Sequence, residues 1–408
     1  DGTRDESMTL GSLVVSEGYR STGYAEKITT YSYYLENGVR EYLAGNVTTC
    51  AFDDDKTGRL IETKTEEDFL MNDVNGVLTE EKLMNHRKAT PSAEVAGCLN
   101  FYKGTLKINS NYDSHLKPLD LVELYYTIDG EGKRTYTSGS QQSTKTVLDS
   151  RLNIAVEELV TTREFEISGS FNTAANQASI NKDWNVDTYY ASNPQNISFY
   201  GGMEQEKDVK GRFTKTMDTR YYTMKANTTG SAEADRDYTD GEVVINKSFD
   251  SEGRVIEKNT YTFTITNGED GKEYSERTFV DGNVSNMSQF VEFGKSENNP
   301  RVTYARNFDL DSQPLNMTKL EDLDLLGRNY HSGSDTYKTY SPMGNLVKTV
   351  TDRYLIRQTN LMGLEEEYTG LETDETGNYT RYYTSEQVSL SEEKAADPVS
   401  GQVKYNFL

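Results

Sequence analysis

Residues 259–293 read NTYTFTITNGEDGKEYSERTFVDGNVSNMSQFVEF. In the first eight, polar residues alternate with Tyr, Phe and Ile, the pattern of a half-buried strand. Asn267-Gly268 follows, then KEYSERTFV, then Asp281-Gly282 and NVSNMSQFVEF. Asn-Gly and Asp-Gly between such runs predict hairpin turns, because both turn residues must take positive φ. The stretch therefore predicts three consecutive antiparallel strands. The same reading applies to KITTYSYYL at 27–35, Asn37-Gly38 and the VREYLAG that follows.

A looser turn recurs along the chain: an acidic or polar residue, then Gly three positions on, then a basic or polar residue and a β-branched run. It stands at Asp55–Gly58, Asp208–Gly211, Asp250–Gly253, Ser341–Gly344, Asp374–Gly377 and Pro398–Gly401. Asp caps backbone N–H groups in such turns and Gly supplies the left-handed residue. Where the series is unbroken the turns come about 14–19 residues apart, the length of one hairpin. Phe249-Asp-Ser-Glu-Gly-Arg-Val-Ile and Tyr340-Ser-Pro-Met-Gly-Asn-Leu-Val resemble the YD repeats of Rhs-type bacterial surface and toxin proteins. The resemblance covers roughly residues 245–405 and extends to the degenerate hairpin repeats of exported bacterial lipoproteins. It implies a long β-sheet at a cell surface or in a secreted protein.

The fold expected is all-β with minor α: consecutive antiparallel hairpins forming an extended or wrapped sheet, with one or two short helices. Leu148, Leu152, Val156 and Leu159 recur at helical spacing and predict a helix over 149–160; residues 79–88 offer a shorter one. Residues 137–146, 171–184 and 225–237 are polar and aperiodic and read as loops or linkers. They divide the chain into an N-terminal β region (1–136), a middle region (147–224) and a C-terminal hairpin-repeat region (238–408).

Composition narrows the function. The 408 residues carry a net charge of −23 and 29 Tyr beside a single Trp. A field of that sign repels phosphate backbones, so no nucleic acid is expected as partner. No run is long and apolar enough for a membrane helix. Tyrosine, with an apolar ring and a polar tip, suits a half-exposed sheet. Cys50 and Cys98 are compatible with one disulfide or with two buried thiols. The opening Asp1-Gly-Thr-Arg lacks the charged and apolar regions of a signal peptide, which fits a mature, secreted or cell-surface chain. Asn-x-Ser/Thr triplets at Asn46, Asn196, Asn227, Asn246, Asn283, Asn286, Asn316 and Asn378 would matter only in a eukaryote.

Motifs for catalysis are missing: no HExxH, no GxSxG, no GxGxxG opening a helix. His86, His115 and His331 are isolated in sequence. Asp53, Asp55, Asp309 and Asp311 offer hard oxygen ligands near turns and are weak calcium candidates, although turn chemistry also accounts for them. Trp184, in a polar loop with Tyr189 and Tyr190 close behind, is the best candidate for an exposed ligand-binding contact. The reading is a non-catalytic binding or scaffolding protein presenting a Tyr-rich acidic surface to a glycan or protein partner. Two alternatives stand beside it: a glycoside hydrolase using a carboxylate pair, and an outer-membrane β-barrel.

Overall fold

In a computed structural model of the chain the described residues are 9–36, 39–53, 58–72, 98–113, 116–149, 151, 154–210, 213–225, 235–251, 253–266, 270–286, 301–310, 319–325, 327–340, 346–358, 379–393 and 405–407. The strands are β1 (Thr9–Tyr19), β2 (Ala25–Glu36), β3 (Val39–Phe52), β4 (Ile61–Met71), β5 (Leu99–Tyr112), β6 (Pro118–Ile128), β7 (Arg134–Leu148), β8 (Ala155–Ile167) and β9 (Ile197–Lys210). They continue as β10 (Phe213–Met224), β11 (Arg236–Phe249), β12 (Val255–Ile265), β13 (Arg277–Asn286), β14 (Arg301–Leu310), β15 (Arg328–Tyr340), β16 (Leu346–Gln358), β17 (Tyr379–Glu393) and β18 (Tyr405–Phe407). The fold is all-β, an open antiparallel sheet of consecutive hairpins, with α1 (Ala174–Ser179) and α2 (Val186–Ser192) as the α-helices among the described residues. Two compact units divide it. Unit 1 holds Asp1–Lys145, Val160–Met203 and Thr223–Arg236; unit 2 holds Thr146–Leu159, Glu204–Tyr222 and Asp237–Leu408.

In unit 1 each strand from β1 to β7 pairs with the next. One device repeats across them. An aromatic ring on an even strand stands directly opposite a glycine on the strand before it and an aromatic on the strand after it. The rows are Gly11–Tyr33–Tyr42, Gly45–Phe69–Phe101 and Gly104–Tyr126–Tyr136. Within each row the two rings meet edge-on or tilted, with centroids 5.4, 5.5 and 5.1 Å apart. The glycine is obligatory because a Cβ there would run into the facing ring, as at Gly104 against Tyr126. Immediately after the second aromatic the register skips one residue, Leu43, Tyr102 or Thr137, a β-bulge that bends the strand.

Unit 2 repeats the device over β11 to β17. Its rows are Gly241–Phe263–Phe279, Gly282–Phe308–Tyr330 and Gly333–Tyr354–Tyr383. The ring pairs lie 5.3, 5.6 and 5.7 Å apart. The skipped residues are Val280, His331 and Thr384. An arginine two positions before the second aromatic covers the central ring: Arg277 lies 4.5 Å over Phe263 and Arg328 5.0 Å over Phe308. In unit 1 Arg134 does the same over Tyr126 at 5.0 Å. Each such stack adds roughly 0.5–2 kcal/mol to the burial of the ring.

The turns follow the expected chemistry where they are described. Asp250 Oδ1 accepts from Arg254 N, and Gly253 sits at φ 83°. Asp129 Oδ1 accepts from Glu131 N and Lys133 N, with Gly132 at φ 79°. Glu36 pairs with Val39 where β2 meets β3. Asn37-Gly38, Asn267-Gly268, residues 79–88, His86, His115, Asp55 and Asp311 lie outside the described residues.

Several expectations are corrected. Asp281-Gly282 is no turn: both residues lie inside β13, and Gly282 is there to admit the Phe308 ring. The described part of 149–160 is not helical: Ala155 opens β8, and Asp149 Oδ1 accepts from Arg151 N. Residues 137–146, read as a linker, are the middle of β7, where small polar residues pass beside the Phe165 ring at Gly139. Cys50 and Cys98 are both free thiols. Cys50 pairs with Lys64, and the Cys98 carbonyl accepts from Asn72 N. Eight residues of extended chain separate those two partners, about 26 Å at ~3.3 Å per residue. A disulfide needs Cα atoms within about 7 Å.

The glycine rows are testable. Gly241→Ala would press its methyl against Thr219 O and the Phe263 ring, whereas at Gly130 nothing lies within 4 Å. The expected loss is about 1–3 kcal/mol for Gly241→Ala and less than about 0.5 kcal/mol for Gly130→Ala, read from urea midpoints. Equal small effects would contradict the packing.

Candidate functional site

In unit 1 the chain between β8 and β9 leaves the sheet and folds over it. Gly169–Phe171 and Pro194–Asn196 are short 3-10 turns, α1 is capped by Thr173 and α2 by Asn185. Asn172 fixes this segment to β7: its Oδ1 accepts from Tyr136 N and its Nδ2 donates to Tyr136 O. Gln177 Nε2 donates to Arg134 O, and Lys182 pairs with Glu62 at 3.0 Å. Arg163, stacked over Phe199, pairs with Asp187 at 2.6 Å.

This segment carries Trp184, Tyr189 and Tyr190, and the structure does bring them together. Trp184 lies 5.8 Å from Tyr189, and both rings meet Phe171; Tyr190 meets Phe199 at 5.3 Å. Their position overturns the expected exposure. Trp184 is 8% exposed, part of a core with Tyr126, Tyr136, Phe165, Phe171 and Phe199. Tyr189 and Tyr190 are half-buried, and the Tyr189 hydroxyl accepts from Asn196 Nδ2. Phe171, Trp184 and Val186, apolar residues among polar ones, are the side chains of this segment that enter the core. Asn196, in a glycosylation triplet, is itself buried.

At the strand ends beside this core lies a groove of about 420 Å³. It is lined by Glu67, Leu99, Asn100, Phe101, Ile128, Asp129, Gly130, Gly132 and Arg134. Glu67 organises its floor. Its Oε1 accepts from Tyr126 Oη at 2.9 Å and from Arg134 Nε and Nη2 at 3.0 and 2.6 Å. Burial pushes the Tyr126 phenol far up, and the Glu67 carboxylate adds to the shift, although Arg134 opposes it. Burial alone would lower Arg134, but Tyr126 and Glu67 outweigh it and hold the guanidinium charged. None of these groove residues was singled out in the sequence, because Glu67 and Arg134 are 67 positions apart and only strand pairing joins them.

The opposite face of unit 1, set by strand alternation, is exposed. A ladder of charge crosses it: Lys64–Glu66, Lys107–Glu66 and Lys107–Glu123 at 2.5, 3.8 and 2.8 Å, with Tyr125 Oη donating to Glu123 at 2.8 Å. Among these charges stand Leu43, Leu70, Tyr102, Tyr125 and Tyr200, all large and exposed. Leu43 and Tyr102 are the bulge residues that follow the buried aromatics.

In unit 2, Asp335, Asp352 and Glu386 form one cross-strand row over β15, β16 and β17. Asp335 is buried and accepts from Tyr354 Oη at 3.1 Å. Burial first, then the Glu386 charge and a shared hydrogen bond, push the Asp352 carboxyl up. Of the calcium candidates, Asp53 in unit 1 and Asp309 in unit 2 are described. Asp53 is buried and spends Oδ1 on Leu60 N; Asp309 is exposed, 3.8 Å from His331. Among the described residues no three His, Cys, Asp or Glu side chains converge as metal ligands.

The buried phenols give a pH signature. Burial, then Glu17 and Tyr42, raise Tyr31 to about 12. Unfolded tyrosines ionise near 10, so above that pH the unfolded chain loses protons first and stability falls until the folded phenols follow. Between pH 10 and 12 the urea midpoint is expected to drop, and the native tyrosinate absorbance at 295 nm to lag that of the unfolded chain. Parallel titration of both states would contradict these environments.

No protein-family model matches the chain, and no curated protein matches it.

Proposed function

We propose that the chain is an exported or cell-surface protein that binds or scaffolds without catalysis, and that it uses the exposed sheet face. The carrying observation is the asymmetry of the sheet in unit 1. One face is closed by the glycine–aromatic rows and the 168–196 segment; the other leaves Leu43, Leu70, Tyr102, Tyr125 and Tyr200 exposed among carboxylates. A scattered exposed apolar residue needs no explanation, but several on one face of neighbouring strands suit a contact surface. Tyrosines beside carboxylates can stack on a glycan or pack against a protein while hydrogen-bonding at the rim. In unit 2 the comparable exposed positions are Tyr221, Val280 and Leu355. The Asp250–Gly253 turn keeps the chemistry of the YD-type repeats, which supports an extracellular setting by resemblance. No helix among the described residues is long and apolar enough to cross a membrane.

The test uses immobilised extracellular matrix proteins and polysaccharides, with binding and reducing-sugar release measured on the same samples. Saturable binding without sugar release is expected. The variant L70S/Y102S/Y125S should weaken it at least tenfold with an unchanged melting curve. Sugar release abolished by substituting a carboxylate would replace this reading with that of a glycoside hydrolase.

A further inference from the structure

The exposed face of unit 1 is not uniform in charge. On β4 to β6 its carboxylates are matched: Glu66 lies 2.5 Å from Lys64, and Glu123 lies 2.8 Å from Lys107. On β8 they are not. Glu164 and Glu166 are exposed, and no ion pair among the described residues reaches either.

Between these two halves the face is shallow. Phe165 crosses Gly139 on the closed side, so alternation puts Ser138 and Ser140 of β7 beside Glu164 and Glu166 of β8. On the other flank the register sets Tyr125 opposite Ser138 and Glu123 opposite Ser140. Tyr200 stands exposed on β9, next to Phe199, whose ring meets Phe165 at 5.7 Å. Two small hydroxyls thus floor a trough with Tyr125 on one wall and Glu164, Glu166 and Tyr200 on the other. The phenols register the same charges. Burial first, then Glu164 by charge and hydrogen bond, then Glu166, push Tyr200 up. Burial and Glu123 raise Tyr125 to about 12 against the Ser140 hydrogen bond, and Glu164 adds to the rise.

Charge then selects the partner. An anion is repelled by both carboxylates and by the net charge of −23. A neutral ligand would strip water from two charged groups and return no charge. A metal ion needs a cage of ligands, and among the described residues no three His, Cys, Asp or Glu side chains converge as one. A guanidinium fits: it forks onto a carboxylate and stacks on a tyrosine ring. Glu164 and Glu166 are two residues apart on one strand face, roughly 6.6 Å. An extended peptide offers its alternate side chains at the same interval. Building on the exposed-face reading, we propose that this trough docks an extended basic segment of a partner protein, with arginines at alternate positions.

The experiment is fluorescence anisotropy on the full chain at about 0.15 M salt, where distant charges are screened. The probes are a labelled Gly-Arg-Thr-Arg-Gly peptide and, at equal charge, Gly-Arg-Arg-Thr-Gly. Saturable binding of the first is expected, about threefold tighter than the second. E164Q/E166Q should weaken it about tenfold and Tyr200→Ser about threefold; melting curves check both, and if one fails to fold the other decides. E131Q/D183N makes the same change in net charge at exposed carboxylates of the β6–β7 turn and of the segment over the closed face, and should leave binding at wild type. So should L70S/Y102S, on β4 and β5 outside the trough. Absence of peptide binding, equal affinity for the two peptides, or equal loss in E164Q/E166Q and E131Q/D183N would overturn the inference. Any of these leaves the exposed-face reading standing so long as matrix binding still falls in L70S/Y102S/Y125S; matrix binding indifferent to that variant overturns that reading instead.

Discussion

When the Tyr126 ring lies across Gly104, it takes space that any other residue on β5 would fill with a side chain. The ring thereby reaches the backbone of the strand before it, the Tyr136 ring of the strand after it, and the Arg134 guanidinium above it. Similar rows run through both units, with Phe263 and Phe308 standing where Tyr126 stands. An open sheet of this kind has few aliphatic residues to bury. Each row instead brings two aromatic rings together beside a glycine, and the central ring is buried in five of the six. A buried aromatic contributes about 1.5–3 kcal/mol by area alone, with roughly 0.5–1.5 kcal/mol more from the ring pair. The bulge after the second aromatic follows from the same row and turns the next residue to the opposite face.

The strands and their hairpin order were legible from alternation and from turn residues. The rows were not, although their trace is written in the chain. Arg-x-[Tyr/Phe]-x-x-Gly stands complete at 40–45, 134–139, 236–241, 277–282 and 328–333. Leu99 and Ile197 replace the Arg at 99–104 and 197–202, and Glu386 replaces the Gly at 381–386. Glycine reads as punctuation, which predicts a turn at Asp281-Gly282 and a linker at Ser138-Gly139. In fact these glycines mark the interior of strands, where a neighbour's ring comes close. Trp184 was misplaced for a related reason. The polar residues around it suggest a surface loop, whereas Phe171, Trp184 and Val186 are buried in the core and Ile180, Tyr189 and Tyr190 pack against it.

The groove depends on partners distant in sequence, and no local pattern could have joined Glu67 to Arg134. What strand pairing does is place a carboxylate on β4 beneath the guanidinium that opens β7. That arginine belongs to the repeated motif, so a structural element of the row also forms part of the groove. The calcium reading starts from carboxylates near turns; of the two that are described, Asp53 caps the Leu60 N–H and Asp309 lies 3.8 Å from His331.

The most direct test of the row as the governing constraint is a double-mutant cycle on Gly104 and Tyr126, with stability read from urea unfolding. The methyl added by Gly104→Ala meets the Tyr126 ring as its nearest neighbour. Removing that ring should therefore relieve most of the cost of the methyl, giving a coupling above about 1 kcal/mol, within the 0.5–3 kcal/mol range of contacting pairs. Strict additivity of the two changes would contradict the account.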